Sequence, residues 1–315
     1  MPRTPAADAA VPTPLSPTPG QRACDVAVVV ASAGRPELLG RLVADLAHQT
    51  HRDFALVVCT PGPADLPAAG LPPAVVVVHA RGAAAQRNAG IDAVPGASRV
   101  FFFDDDAVVR PDYLERALAY FDAHPEVVGI TGRVLLDGSG ASAGEVDREI
   151  ADDALRLSAA DRQQGAGRPV DQLYGCNFGY RADVDPALRF DERLPLYSWL
   201  EDLDFAGCLL RHGSLAKIDD AVVVHLGVKS GGRTAHQRLG YSQVMNPFYL
   251  LRKGTISWRR LGYEVGPRLV GNASRSVGHA ERSWRRRRLL GNARALADLA
   301  RGRFTPERIL DLPPA

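Results

Sequence analysis

The sequence predicts an α/β fold in which a mostly parallel central sheet is flanked by helices, with a helical C-terminal extension. Four short segments in the first third are apolar almost throughout and rich in Val or Phe, as in strands covered on both faces. They are Asp25–Val30, Phe54–Cys59, Ala74–His79 and Arg99–Phe103. Helical patterns lie between most of them, which favours parallel strands. Polar clusters follow three of the strands, at the edge where open α/β sheets bind ligands.

Three helices are predicted between or after these strands. The first, Pro36–Gln49, has its leucines and valine on one stripe and a proline at its first position, as is typical of an amphipathic helix on a sheet. Weaker helical patterns cover Gly82–Val94 and Pro111–Ala123. The proline-rich segment Pro61–Pro73 predicts a loop.

The pattern after residue 125 is less regular. A strand is predicted over Gly129–Leu136, and a polar, partly helical insertion over Asp137–Gly167. Further along the chain we predict, in order, a turn-rich segment Leu173–Arg181, a helix Trp199–His212, a short strand Ala221–Val224 that ends at His225, and a Gly-rich basic loop Lys229–Gln237. From Tyr241 onward the chain predicts helices interrupted by Gly and Pro.

These patterns divide the chain into three parts. Residues 1–23 are rich in Pro and Ala, lack an apolar stretch of the secretory type, and predict a disordered tail. Residues 24–240 form the main α/β domain, and 241–315 form a basic helical segment. No apolar run approaches the length that crosses a bilayer, and the four cysteines fit no metal-ligand spacing. We therefore expect a cytoplasmic protein, in contact with a membrane surface at most peripherally.

Charge is unevenly distributed along the chain. The net charge is +2 overall, yet the segment Leu250–Ala315 contains 15 Lys and Arg against 5 Asp and Glu. Its densest part is Trp284–Leu290, with four consecutive arginines. This segment predicts an anionic partner, such as a peripheral membrane surface or an anionic acceptor, with a solvated helix face as the alternative. No motif for nucleic-acid binding accompanies it, so nucleic acid is not expected as a partner.

The run Phe101–Asp106 delivers three carboxylates directly after a buried strand. Adjacent carboxylates repel each other, and a divalent cation removes that cost. Alternate residues of an extended backbone point to the same side, so Asp104 and Asp106 can share a face. Their hard oxygens suit Mg²⁺ or Mn²⁺ bridged to phosphates. The alternative is a solvated acidic turn that caps the next helix.

A second acidic cluster contains Glu201, Asp202 and Asp204 at the start of a predicted helix. It is consistent with a general base beside an apolar wall, or simply with acids that complement a helix dipole. His225 ends an apolar strand, so it is either a structural histidine or a further metal ligand.

Two further segments are candidates for ligand contact. Arg81 and Arg87 belong to a glycine-led helix start, a type of site that binds phosphate, and Arg35 follows Gly34 in a similar way. The segment Tyr174–Gly179 is a compact turn with aromatic flanks that suits a sugar. An exposed helix face and an ordinary turn are the respective alternatives.

Taken in order, these clusters resemble inverting family 2 glycosyltransferases of the GT-A fold. The resemblance covers residues 24–255. The matching segments are Val28–Leu39 (opening strand and nucleotide loop), Arg81–Gly90 (glycine-arginine-asparagine helix), Asp104–Asp106 (DxD motif), Gly175–Arg181 (acceptor-side segment), Glu201–Phe205 (ED motif) and His225 (late histidine). The opening loop departs from the family by reading Ala31-Ser32-Ala33 where a Thr-Tyr-Asn type of sequence is more frequent.

The resemblance implies a role for each motif. Residues 24–125 become the nucleotide-sugar half and 126–240 the acceptor half of a catalytic domain. Asp106 and His225 would hold Mn²⁺ or Mg²⁺ on the diphosphate, Asp202 would be the catalytic base and Glu201 would orient it. Asn177 and Trp199 would face the acceptor, and the loop Lys229–Arg233 would close over the diphosphate. The donor contacts would be Ala31, Ser32, Arg35, Arg81, Arg87, Asp104 (at the nucleoside), Asp105 and Asp106.

The predicted activity is therefore metal-dependent, inverting transfer of a sugar from a nucleoside-diphosphate sugar to an acceptor hydroxyl. The acceptor class, whether glycan, lipid-linked glycan or natural product, stays open. A sugar nucleotidyltransferase is the first alternative, although Ala31–Arg35 is short and poor in Gly for its phosphate loop. A non-catalytic sugar-binding module is the second, and it would not need Glu201, Asp202 or His225.

Overall fold

A computed structural model describes residues 24–73, 75–139, 144–158, 165–228 and 234–313. The predicted N-terminal tail and the predicted lid loop Lys229–Arg233 lie outside the described residues, as do two short parts of the predicted insertion.

Within the described residues, nine strands form one mixed sheet, in the order β3-β2-β1-β4-β8-β6-β9-β5, with β7 paired to β9. Six of these strands run in one direction, and β5, β7 and β8 run against them. The strands are β1 Val26–Ala31, β2 Ala55–Thr60, β3 Val76–His79, β4 Arg99–Asp104, β5 Ala107–Val109, β6 Val127–Asp137, β7 Gly167–Val170, β8 Asn177–Arg181 and β9 Ser214–His225. The predicted α/β class with a mostly parallel sheet is confirmed.

Helices cover both faces of the sheet. The helices are α1 Pro36–Leu46, α2 Ala83–Asp92, α3 Tyr113–Ala123, α4 Arg148–Ser158, α5 Glu201–Leu209, α6 His236–Lys253, α7 Trp258–Ser274 and α8 Arg282–Ala300. Apolar residues of α1 and α3 pack on one face of the sheet, and those of α2 and α5 pack on the other. The C-terminal helices α6 to α8 have a separate small core.

The predicted turn-rich segment Leu173–Arg181 is wrong in its second half. Asn177–Arg181 is strand β8, which lies between β4 and β6 and runs antiparallel to both. Its Gly179 indicates a close approach of side chains rather than a turn, because a Cβ there would lie 2.5 Å from Phe101 Cδ1. The glycine therefore leaves room for an aromatic ring of the neighbouring strand.

Strand β9 is also longer than the predicted Ala221–Val224. It begins at Ser214, and the polar residues Asp219 and Asp220 interrupt its apolar pattern. Pairing with β6 on one side and with β7 on the other satisfies the backbone of its first half. Sheet contacts therefore extend a strand whose local sequence reads as a loop.

The C-terminal segment packs against the rest of the chain. Helix α6 begins at His236 and crosses the boundary predicted at residue 240. At its end the Lys253 ammonium lies 2.6 Å from an Asp204 carboxylate oxygen and 2.8 Å from one of Asp191. Among the described residues, no helix is long and apolar enough to cross a membrane.

The arginine cluster Trp284–Leu290 is only partly a surface feature. Arg285 is 7% exposed and binds Glu281 and Asn272. Trp284 stacks on His236, with ring centroids 5.3 Å apart. Half of this cluster therefore fixes α8 against its neighbours, and Arg286 and Arg287 are exposed.

Candidate active site

Strand pairing brings three of the predicted site segments to one edge of the sheet. Ala31 at the end of β1 lies opposite Asp104 at the end of β4. Three residues later the chain pairs again, with Ala107 of β5 opposite His225 of β9. The amide of Leu226 donates to the Asp106 carbonyl at 2.9 Å. The acidic turn is therefore held beside His225 by backbone hydrogen bonds.

Asp104, Asp106 and His225 form a group that fits a divalent cation. Each offers a ligand atom within 4.8 Å of the others. Asp106 and His225 are almost fully buried, whereas the Asp104 side chain is 31% exposed and leaves one side open. Two carboxylates and an imidazole suit Mn²⁺ or Mg²⁺ with further positions for phosphate oxygens. The structure thus places Asp104, predicted as a nucleoside contact, beside the two predicted metal ligands.

The charges around His225 favour a cation at this place. Burial alone would lower the pKa of His225, but the carboxylates of Asp106 and Asp137 outweigh it and raise the pKa to about 10. Burial likewise opposes ionisation of Asp106, yet His225 and Arg35 hold its pKa below the ordinary value. The carboxylates of Asp106 and Asp137 therefore stabilise positive charge at His225, which a bound metal ion would supply in place of the proton.

A second carboxylate orients His225 from behind. His225 Nδ1 lies 3.0 Å from Asp137 Oδ1 and 3.2 Å from the Tyr174 hydroxyl. The same hydroxyl donates to Asp137 Oδ2 at 2.7 Å, and Ser139 Oγ lies 3.0 Å from it. When a metal is bound, a proton on Nδ1 that donates to Asp137 would leave the Nε2 lone pair free to bind that metal beside Asp106.

Asp137→Asn is expected to weaken Mn²⁺ binding by about 10- to 100-fold, because it removes the charge that orients and strengthens the histidine ligand. Titration calorimetry with Mn²⁺ measures this. The exposed Asp153→Asn of α4 is the matched control. Unchanged Mn²⁺ affinity in Asp137→Asn would show that Asp137 has no role in metal binding.

Asp105 points away from the metal group. It is 1% exposed, and it accepts a hydrogen bond of 2.6 Å from the Ser32 hydroxyl and a contact of 2.6 Å from an Arg35 guanidinium nitrogen. Burial raises the pKa of Asp105 to about 7, against the opposing effects of Arg35 and Ser32. The three predicted donor contacts Ser32, Arg35 and Asp105 thus bind one another and support the acidic turn.

Arg87 joins the metal group to the second acidic cluster. Its guanidinium donates to Asp104 Oδ1 at 3.1 Å and also binds Glu201 Oε1. A third hydrogen bond, of 3.1 Å, goes to the Gly175 carbonyl. Arg87 is 4% exposed, so these contacts are strong and fix the distance between Asp104 and Glu201.

Asp202 lies next to this bridge at the start of α5. Its Oδ2 accepts from the Gly175 amide at 2.9 Å, and its Oδ1 accepts from the Leu203 amide at 2.8 Å. Burial raises the pKa of Asp202, while Arg87 works in the opposite direction. A carboxylate with a raised pKa, fixed by two amides, has the properties of a general base.

The loop before α5 is strained and caps α2. Leu196, Ser198 and Leu200 have φ angles of 64°, 53° and 71°, a region that non-glycine residues rarely adopt. The Leu196 carbonyl accepts from the Ala83 amide at 3.0 Å, and Ser198 Oγ accepts from the Ala84 amide at 3.2 Å. The predicted phosphate-binding helix start is therefore occupied by this loop, and it positions α5 instead.

Three predicted ligand contacts lie elsewhere. Asn177 is fully buried, and its Oδ1 accepts from the Tyr113 hydroxyl and the Gly132 amide, because β8 is an interior strand. Its predicted position facing an acceptor is wrong. The Trp199 ring lies under the Arg268 guanidinium at 4.9 Å, against the C-terminal helices. Arg81 is exposed after the edge strand β3.

Comparison with known families identifies the family to which this chain belongs. Residues 23–213 match the family described as "Glycosyltransferase like family 2". The chain belongs to family 2 of the glycosyltransferases. As a member it is a glycosyltransferase with the GT-A fold, and its Asp104–Asp106 cluster resembles a DxD motif. No curated protein sequence matches the chain.

Three solved structures are similar to this glycosyltransferase to different degrees. The mannosyltransferase PcManGT from Pyrobaculum calidifontis, in complex with GDP-Man and Mn²⁺, is 17% identical, with a TM-score of 0.53 over 95% of this chain and 81% of that chain. S. aureus TarS residues 1–349 with UDP is 15% identical, with a TM-score of 0.47 over 89% and 92%. This chain covers 40% of a longer S. aureus TarS chain, at 17% identity and a TM-score of 0.46 over 70% of this chain.

Two residues of this glycosyltransferase site were not predicted from sequence. The sequence pattern places Asp137 in an insertion and Tyr174 only in a turn that suits a sugar. Asp137 is the last residue of β6, directly after the predicted strand Gly129–Leu136. A polar residue that ends a strand parallel to β4 is the signal that could have identified it.

Proposed function

We propose that this glycosyltransferase is metal-dependent and transfers a sugar, with inversion, from a nucleoside-diphosphate sugar to an acceptor hydroxyl. The contact of Arg87 with both Asp104 and Glu201 carries the proposal, since it joins the metal group to the base-bearing helix. PcManGT, which shares the fold, was solved with GDP-Man and Mn²⁺. A sugar-binding module would need neither Asp202 nor the metal group.

Asp104, Asp106 and His225 would hold Mn²⁺ or Mg²⁺ against the donor diphosphate, whose departing negative charge such an ion stabilises. Arg35 and Ser32 keep the acidic turn in position through Asp105. The open side of Asp104 faces the donor.

Asp202 removes the proton from the acceptor hydroxyl. As the acceptor oxygen bonds to the anomeric carbon, the bond from that carbon to the diphosphate oxygen breaks on the opposite side, which inverts the centre. The diphosphate leaves with the bonding electron pair, and the proton stays on Asp202. Glu201, bound to Arg87, holds the start of α5 in place for this step.

The test is a panel of nucleoside-diphosphate sugars with Mn²⁺, with released nucleoside diphosphate as the readout. Transfer predicts metal-stimulated release from one donor, increased by an acceptor, and a product of inverted anomeric configuration by NMR. Release of pyrophosphate from a nucleoside triphosphate and a sugar phosphate would instead show a nucleotidyltransferase. No turnover with any donor would contradict catalysis.

For the C-terminal segment we propose contact with an anionic bilayer surface. The side chains of Trp258, Tyr263 and Val270 on α7 are about 70% exposed. Arg259 of α7 and Arg275 at its end are also exposed, and Arg275 lies 3.7 Å from a Glu281 carboxylate oxygen. Trp and Tyr favour the headgroup region of bilayers, and arginines are attracted to anionic lipids. These exposed aromatic and basic residues therefore favour an anionic bilayer over a neutral one.

Vesicle co-sedimentation tests this contact. We expect binding to phosphatidylglycerol–phosphatidylcholine vesicles that falls at least about tenfold in Arg259→Gln/Arg275→Gln and on pure phosphatidylcholine. The exposed Arg156→Gln of α4 should bind like the unmodified protein. Failure to bind the anionic vesicles would contradict the proposal.

A further inference from the structure

A groove of about 500 Å³ opens on the sheet face that also carries α5. Strands β6, β7 and β9 form its floor, and the segment from Asp171 to Tyr174 forms one wall. This volume is in the range of small-molecule sites. Neither the metal group nor the two acids of α5 line it, so it is distinct from the donor site described above.

The inner end of this groove borders the catalytic groups. Tyr174 lines the groove, and its hydroxyl lies 3.2 Å from His225 Nδ1. The next residue, Gly175, donates its amide to Asp202. The inner end of the groove therefore lies close to the proposed base.

Two cations lie side by side at the outer end. Arg168 of β7 is directly opposite Lys217 of β9, and Lys217 is opposite Thr131 of β6. Neighbouring strands are about 4.8 Å apart, so the Arg168 backbone lies about 10 Å from that of Thr131. All three side chains line the groove. Within the described residues, neither cation forms an ion pair.

The position of Lys217 on an interior strand is unusual for a charged residue. Its neighbours on β9, Leu215, Ala216 and Ile218, are at most 2% exposed, and β9 is flanked there by β6 and β7. A charge can protect an edge strand such as β7 from unwanted pairing, which would explain Arg168 alone. A partly buried lysine on an interior strand is stabilised by a matching anion.

The acidic residues of the groove do not provide that anion. Asp137 binds Tyr174 and His225 at the inner end. Asp171 follows β7 with an exposed side chain, so solvent screens its charge. The groove is thus polar and hydrogen-bonding near the base and positive at its outer end.

We propose that this groove binds the acceptor, and that Arg168 and Lys217 bind a phosphate or carboxylate group that the acceptor carries. The acceptor hydroxyl then lies past Tyr174 at Asp202, and the anionic group is held at the outer end. The inference rests on the proposed function, because only a transferase has an acceptor. Anion binding in the groove can nevertheless be measured without sugar transfer.

Titration calorimetry in EDTA, with glucose 6-phosphate, glucuronic acid and glucose as probes, tests the site. At least one anionic probe should bind about tenfold or more tightly than glucose. The anionic probe with the higher affinity shows whether the site prefers a phosphate or a carboxylate. In Arg168→Gln/Lys217→Gln this preference should disappear, whereas Arg156→Gln should retain it. EDTA removes metal, so phosphate cannot bind through the metal group.

The outcomes separate the two proposals. Equal affinity for all three probes, or an anion preference that survives in Arg168→Gln/Lys217→Gln, would overturn the anionic acceptor. The donor panel tests transferase activity alone: an active enzyme without anion preference refutes only this inference. Anion binding that depends on Arg168 and Lys217, without turnover of any donor, refutes only the proposed function.

Discussion

Asp202→Asn is expected to lower kcat by about 100- to 10,000-fold while donor binding stays nearly unchanged, because the change removes the group that accepts the hydroxyl proton. Asparagine keeps the size of the aspartate side chain. Its single side-chain oxygen can accept a hydrogen bond from only one of the two backbone amides that Asp202 contacts, those of Gly175 and Leu203. Donor affinity by calorimetry and kcat by nucleoside diphosphate release are the two measurements. The exposed Asp122→Asn of α3 is the control.

The pH profile provides an independent check on this assignment. A base works deprotonated, and burial raises the pKa of Asp202 above its usual 3.8. Activity should therefore fall as pH decreases through a value above 3.8, and this acid limb should be missing from the residual activity of Asp202→Asn. Near-normal turnover by Asp202→Asn would show that Asp202 is not the catalytic base.

Asp106→Asn is expected to weaken Mn²⁺ binding by about 100-fold or more and to weaken donor binding with it. Asp106 is a direct member of the metal group, and even residues behind a metal ligand contribute about 10- to 100-fold. Asparagine keeps the volume of the side chain but loses its charge. Calorimetry with Mn²⁺, and with donor at saturating Mn²⁺, measures both effects.

Circular dichroism and the thermal midpoint distinguish a lost metal site from a lost fold, since Asp106 also accepts from the Val228 amide at 3.0 Å. Asp122→Asn again serves as the control. If Asp106→Asn were still activated by Mn²⁺ with the affinity of the unmodified enzyme, the Asp104–Asp106–His225 group would not be the metal site.

Much of the first half of the fold could be predicted from sequence, because burial of each strand or helix leaves a pattern in its own residues. Strands β1, β2 and β4 are buried on both faces, so each is a continuous apolar run. Helix α1 lies on the surface and therefore has one apolar stripe. The position of the Asp104–Asp106 cluster follows from the same rule, since a parallel strand that ends in carboxylates delivers them to the ligand-binding edge.

The roles inside the cluster were decided by contacts that no local pattern reveals. Asp104 and Asp105 are adjacent, yet Asp104 joins the metal group and Asp105 binds Arg35 and Ser32. Strand β8 was missed because its glycine accommodates Phe101 from β4. The start of α2 looked like a phosphate site because its cap comes from Leu196 and Ser198, about 114 residues later in the chain.

The α/β class, the acidic cluster, the ED pair and the family resemblance can all be predicted from the amino-acid sequence, because each depends on short-range periodicity or on residues adjacent in the chain. Three contacts are visible only in the folded chain: Asp137 and Tyr174 support His225, Arg87 joins Asp104 to Glu201, and Arg168 lies beside Lys217. These contacts depend on strand order and register, which arise from packing of the whole sheet.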